Sequence, residues 1–342
     1  MQKFFKPLVI TSIILIYLII IAGSVVRMTG SGMGCPDWPK CFGYLIPPTN
    51  ESQLTWKPNH EYKEGIIIIV EDALRIAPHD FTSKTSYNPN NWQPYTKHDY
   101  AIFNPWHTWI EYINRLVTVA SGFPILLMTF LSFWYWKKNK KITILAIITV
   151  LAMGFEAYLG KIVVDTNLLP LKITTHLLMA FVIACILLYL LFILKENRKA
   201  INVNPFFKKL LVFALVLSTI QIVMGTQVRQ FVDEQVKLLG EDVKELWLLH
   251  PTMLFYVHRS FSILVFLVNA YLVFLTFKSK YALRLIKPML ILIIAEIITG
   301  MAIYYFDFPF LSQPIHLVLA AILFGVQFYL CLQVFSKFRV MS

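Results

Sequence analysis

Phe255-Tyr256-Val257-His258-Arg259 sets an imidazole beside a guanidinium at the start of an apolar run that continues to about residue 277. Ionisable side chains at membrane depth are costly, and where they occur they face a cavity, a partner or a cofactor. The same phrase stands earlier as Glu111-Tyr112-Ile113-Asn114-Arg115. One helical hairpin after each copy comes another lone histidine, His176 after the first and His316 after the second. Such self-similarity marks a duplicated architecture.

The duplication extends outward from these phrases. Gly23-Ser24-Val25-Val26-Arg27 and Gly225-Thr226-Gln227-Val228-Arg229 end two apolar runs in the same way. Glu156 precedes Gly160 by four residues, as Glu296 precedes Gly300, and His176 and His316 each follow their glycine by sixteen. The expected fold is therefore an all-α integral membrane protein of eight transmembrane helices, arranged as two tandem four-helix bundles related by an internal repeat. The units are residues 1–200, including a long outer loop at 29–108, and residues 201–342.

Composition agrees with a bilayer. The chain of 342 residues is 57% hydrophobic, more apolar than one soluble core requires. A span needs about 20 apolar residues, and such runs lie near 8–28, 109–136, 142–164, 171–194, 209–230, 252–277, 287–306 and 314–335. The first could pass for a signal peptide, but it is long for one and its end matches the fifth run, so it is read as the first helix. Lysine and arginine gather at 137–141, 195–209, 278–287 and both termini, while Asp233, Glu234, Glu241, Asp242 and Glu245 occupy 231–246. The positive-inside rule then puts both termini in the cytoplasm. The net charge of +12 is this topology signal, not a nucleic-acid surface.

Residues 29–108 are rich in Pro, Asn, Trp and Tyr, and Ile66 to Val70 continues into Glu71-Asp72-Ala73-Leu74-Arg75. This run is too short to span and suggests a small interfacial helix or lid. Cys35 and Cys41 lie in the same loop, on the side that permits a disulfide, whereas Cys185 and Cys331 read as apolar filler within helices.

Asn114, His176, His258 and His316 all fall within the first two turns of the even-numbered helices, at one depth in the outer leaflet. Alternate helices of an up-and-down bundle are diagonal neighbours, so His258 and His316 can face each other, and two imidazoles from opposite sides suit a six-coordinate haem iron. Arg229 and Arg259 stand at the outer boundary, where they can hold propionates or simply snorkel to the interface; Arg27 and Arg115 occupy the equivalent places in the first half. The halves differ where Glu111 replaces Phe255 and Asn114 replaces His258. Glu111 is either an i,i+4 partner of Arg115 or a working carboxylate. Glu156 and Glu296 read as shared hydrogen-bonding positions, and His107 is close enough in sequence to approach the first-half cavity. His60, His79, His98 and His250 have no metal-site spacing.

Gly30-Ser31-Gly32-Met33-Gly34-Cys35-Pro36-Asp37-Trp38-Pro39-Lys40-Cys41, together with Glu111, His176, His258 and His316, resembles the heme A synthase family, which includes bacterial enzymes and a mitochondrial oxidase assembly factor. The resemblance covers nearly the whole chain. It implies a b-type haem (heme b) held by His258 and His316, and heme O as substrate in the first half, with His176 as its iron ligand. It implies oxidation of the heme O C8 methyl, through an alcohol, to the formyl group of heme A, with Glu111 as the working carboxylate. It also implies a Cys35–Cys41 pair that is structural or redox-active, and a bacterial inner-membrane location. The implied partners are heme O synthase, terminal oxidase subunits and an unidentified electron acceptor; a homo-oligomer is compatible.

One position departs from the family pattern: Glu-x-x-His becomes Glu111-x-x-Asn114. Substrate iron would then be five-coordinate on His176, take another ligand such as His107, or meet a half that has lost catalysis; retained Glu111 favours the first. A bis-His membrane cytochrome, or a haem-binding assembly factor without catalysis, explains the second half equally well. A transporter of 4+4 repeats explains only the symmetry, because transporter sites lie near the midplane on broken helices.

Overall fold

The computed structural model describes residues 2–97, 102–195 and 201–336, so His98 lies outside the described residues. Among them are eight helices long and apolar enough to cross a membrane, as the hydropathy of the sequence requires. They are α1 (Gln2–Met28), α2 (Pro105–Ser132), α3 (Lys140–Asp165), α4 (Pro170–Ile193), α5 (Pro205–Leu239), α6 (Met253–Lys278), α7 (Ile286–Tyr305) and α8 (Ser312–Phe335). Proline at the first position of α2, α4 and α5 costs no hydrogen bond there, because the first N–H groups of a helix have no partner within it. The protein is a multi-pass integral membrane protein.

The chain forms two compact units. The larger comprises Met1–Ser24, Ser121–Met153 and Leu177–Ser342; the smaller comprises Val25–Ala120 and Gly154–His176. In the larger unit α5 packs on α6 and α8, and α7 packs on the same two. This closes a four-helix ring in which α6 and α8 are diagonal members. Phe207, Leu211, Leu272, Met289 and Leu330 belong to its apolar core, while Ile263 and Ile291 on the outside are largely exposed, as lipid-facing positions should be.

Helix α5 runs past the expected end of its span and takes in Asp233 and Glu234. Side-chain pairs one turn apart support the extension: Arg229 with Asp233 at 2.8 Å and Gln230 with Glu234 at 2.9 Å. Gly240, at φ 96°, ends it.

In the smaller unit the long loop carries β1 (Glu61–Tyr62), β2 (Ile67–Val70), β3 (Ala73–Ile76), β4 (Phe81–Thr82) and β5 (Gln93–Pro94). Strands β1 and β4 pair, and β2, β3 and β5 form a second antiparallel sheet. Of the expected interfacial helix or lid over 66–75, the helix is corrected to a β-hairpin. The β-branched run Ile67 to Val70 suits a pleated strand. Glu71 and Asp72, at φ 51° and 54°, form the two-residue turn with both central residues left-handed, which matches strand twist.

Candidate functional site

In the smaller unit the site is built on the first turns of α2. Thr108 donates its hydroxyl to Gly34 O at 2.7 Å, and a Cβ on Gly34 would stand 2.4 Å from the His107 carbonyl. Only glycine allows the loop this close to the helix. The contact brings Cys35 over Glu111, and Cys35 N–H donates to the carboxylate at 2.9 Å. Arg115, one turn along α2, donates to the other carboxylate oxygen. Glu111 is 4% exposed, so both oxygens are held away from bulk water. The ion-pair alternative for Glu111 is thus present, with a backbone donor from the loop added to it.

Arg115 also donates to Asp37 O at 2.9 Å and Lys40 O at 2.8 Å. Both carbonyls lie within the ring closed by the Cys35–Cys41 disulfide. One guanidinium therefore ties the carboxylate, the helix and the ring together, the multidentate use for which arginine is suited. The ring is further held by Asp37, which accepts from Gly43 N–H at 2.9 Å, and by Tyr95, whose hydroxyl donates to Pro36 O at 2.8 Å. Burial raises the Asp37 carboxyl above its usual range, against the lowering effect of the Gly43 and Phe42 N–H groups and the Arg115 charge. Burial likewise pushes Tyr95 up to about 12, so its hydroxyl stays a donor at any physiological pH.

His176, at the start of α4, packs on α3. A Cβ on Gly160 would stand 3.4 Å from His176 Cε1, and Glu156 Oε1 lies 3.2 Å from Nδ1, outside hydrogen-bond geometry. Asn114 Oδ1 is buried without a hydrogen-bond partner. Arg27 lies at the end of α1.

The larger unit repeats the device. Gly300 on α7 sits under His316 of α8, and Gly225 on α5 sits under His258 of α6; added Cβ atoms would stand 3.3 Å and 3.1 Å from the respective Cε1 atoms. His316 Nδ1 is 2.9 Å from Thr299 Oγ1 and 3.1 Å from Glu296 Oε2. A carboxylate or hydroxyl on one ring nitrogen fixes ring orientation and leaves the other nitrogen as a metal ligand. His258 carries a buried Nδ1 without a hydrogen-bond partner, and its backbone carbonyl accepts from Gln221 Nε2 at 3.0 Å. The two histidines belong to diagonal helices of the ring.

Arg259 donates to Tyr305 Oη at 2.8 Å and lies over the Tyr304 ring, 5.1 Å from its centroid; Arg229 pairs with Asp233. His60, His79 and His250 are exposed, and no group of three or more His, Cys, Asp or Glu side chains converges among the described residues. Thr299 and the glycine seats are the site features that sequence reasoning did not anticipate. The spacing to Gly160 and Gly300 signals them, but their contact with the rings requires the helix pairing.

The family model described as cytochrome oxidase assembly protein matches residues 6–71 and 95–328. A heme A synthase of Rickettsia prowazekii is 27% identical over 339 residues, covering 92% of this chain and 93% of that protein. A heme A synthase of Flavobacterium johnsoniae is 23% identical over 350 residues, covering 92% and 93%. With a heme A synthase of Shewanella oneidensis the identity is 26% over 199 residues, 58% of this chain and 48% of that relative's length. The match runs through both unequal halves and takes in Cys35, Glu111, His176, His258 and His316, so the chain belongs to the cytochrome oxidase assembly protein family.

Proposed function

We propose that the chain is a heme A synthase, an oxidoreductase that converts the C8 methyl of heme O to the formyl group of heme A. The observation that carries this reading is the inequality of the two halves. In one, His258 and His316 stand on diagonal helices with glycine seats and no carboxylate at the Glu111 position; in the other, Glu111 is held by Arg115 and Cys35, and His176 has a glycine seat while Asn114 takes the place of the second histidine. A cofactor holder and a working half divide in this way.

The residues of the second half fit a b-type haem. Two imidazoles on diagonal helices are the right donors, His316 is oriented through Nδ1, and the missing Cβ atoms at 225 and 300 leave the rings room. His258 and His316 would hold it, with Arg229 and Arg259 at the boundary for its propionates. When bound, such a haem supplies one-electron transfer towards an external acceptor.

In the first half His176 would hold the substrate iron, Asn114 stands where the second half has His258, and Arg27 and Arg115 would serve the propionates. Glu111 is oriented by two donors, so its charge is pre-set to accept a proton or balance positive charge as the methyl is oxidised. We place the protein in a bacterial inner membrane with both termini cytoplasmic, supplied by a heme O synthase and delivering to terminal oxidase subunits.

The test is co-expression with a heme O synthase in a host lacking heme A, followed by extraction and identification of haems. Heme A or its hydroxylated intermediate is expected. Recovery of only heme B and heme O with folded protein would make the chain a haem-binding relative.

A further inference from the structure

Eleven residues beyond His258 on α6 stands Asn269, and eleven beyond His316 on α8 stands Gln327. Eleven residues make three helical turns with about 20° to spare and a rise of about 16 Å, so each amide shares the face of its histidine deeper in the span. Both side chains are fully buried, and Gln327 Nε2 donates to Asn269 Oδ1 at 2.9 Å. Asn269 Nδ2 donates in turn to Val265 O of its own helix at 2.8 Å, which fixes the direction of the amide. Because α6 and α8 are diagonal, this bond crosses the middle of the ring.

Packing alone does not call for it. Eleven residues beyond Asn114 and His176, the first half has Ile125 and Leu187, both buried in an apolar cluster. Hydrocarbon side chains therefore fill the equivalent places without any amide. A polar pair in a membrane core is a register device: it rewards one rotation and one separation of two helices and penalises the others.

We infer that Asn269 and Gln327 are positioning residues, a hydrogen-bonded clamp that sets α6 against α8 and so holds His258 and His316 at the spacing a resident haem needs. This rests on the bis-histidine reading above. The apolar pair Ile125 and Leu187 leaves the first half without such a clamp, as suits a half that admits and releases its haem.

The test uses the full chain purified with its haem in detergent. N269I/Q327L installs the first-half residues; N269Q/Q327N exchanges the two amides and keeps a bond between them. Three properties are read: the low-spin electron paramagnetic resonance signal, the rate of haem transfer to apomyoglobin, and the thermal unfolding midpoint. For N269I/Q327L the expected result is an unchanged midpoint, a shifted and broadened low-spin signal, and transfer on the order of three- to tenfold faster, the scale of interhelical hydrogen bonds in membranes. The exchanged pair should stay close to wild type. Unchanged signal and transfer rate in N269I/Q327L would overturn the clamp. If that protein does not fold, Q327M keeps the side-chain length, leaves Asn269 bonded to Val265, and is judged by the same two results. A wild-type protein without low-spin haem would instead overturn the bis-histidine reading itself.

Discussion

Cys35 and Glu111 are 76 residues apart in sequence, yet the backbone N–H of the first donates to the carboxylate of the second at 2.9 Å. The disulfide ring thus carries one of the two donors that orient Glu111. In C35S/C41S the N–H survives but the ring that positions it opens. A hydrogen bond to a charged group contributes about 1.5 kcal/mol or more, so turnover should fall about tenfold while the low-spin haem is retained. Undiminished turnover would show that the ring does not orient the carboxylate.

Arg115 and Glu111 form a pair whose side chains are only 14% and 5% exposed. Removing one partner of a buried pair costs about 3–5 kcal/mol, because the other charge is stranded. R115A should therefore loosen the Cys35–Cys41 segment, seen as faster hydrogen exchange there. R115A/E111Q should recover much of the protection, though not activity; exchange as fast as in R115A alone would deny the coupling.

Gly225 seats His258, and a Cβ there would stand 3.1 Å from the ring, whereas a Cβ on Gly122 meets nothing within 4 Å. Both are helical glycines, so alanine gains about 1 kcal/mol of helix propensity at either position. G225A should shift the haem Soret band and lower haem content; G122A should leave both alone. Identical spectra for the two variants would remove the seat from the account.

Thr299 is the hydroxyl that His316 has and His176 lacks, since Leu159 takes the equivalent place. T299V keeps the shape and removes the 2.9 Å contact. Groups behind a metal-bound imidazole are worth about tenfold or more in affinity, so haem content on titration should fall by about that factor. A wild-type titration curve would assign ring orientation to Glu296 alone.

Asp37 supplies the pH dependence. Burial raises its carboxyl above the usual 3.8, so the folded loop holds this proton across a window that begins near 3.8 and ends at the raised value. The stabilisation this gives is full below the window and is lost as pH rises through it. D37N, which keeps an acceptor for Gly43 N–H, should flatten that decline and make the loop more protease-resistant at neutral pH. Greater cleavage of D37N at pH 7 would refute the sign.

The eight spans were legible because a bilayer imposes length and apolarity on every crossing. The histidines, Glu111 and the cysteines stood out because such groups are rare or position-specific in this setting. Asn269 and Gln327 did not, since single amides in apolar runs acquire meaning only when two helices bring them together. The β2–β3 hairpin was hidden by its turn: Glu71-Asp72 adopts the left-handed pair of conformations that Asn-Gly usually advertises. The end of α5 was hidden by its acidic residues, which read as loop until Arg229 and Gln230 are seen to pair with them.

The two faces of β2 serve different owners. Ile67 joins Cys35, Cys41, Phe42 and Leu54 beside the disulfide, while its neighbour Ile68 joins Tyr62, Ala77 and Trp92 in an aromatic cluster. Residues 72–94, which carry much of that second cluster, fall outside the family match. The strand is thus a party wall: the room on its far side can be enlarged, refurnished or tagged over generations or at the bench, while the tenant that holds Glu111 keeps its own foundations.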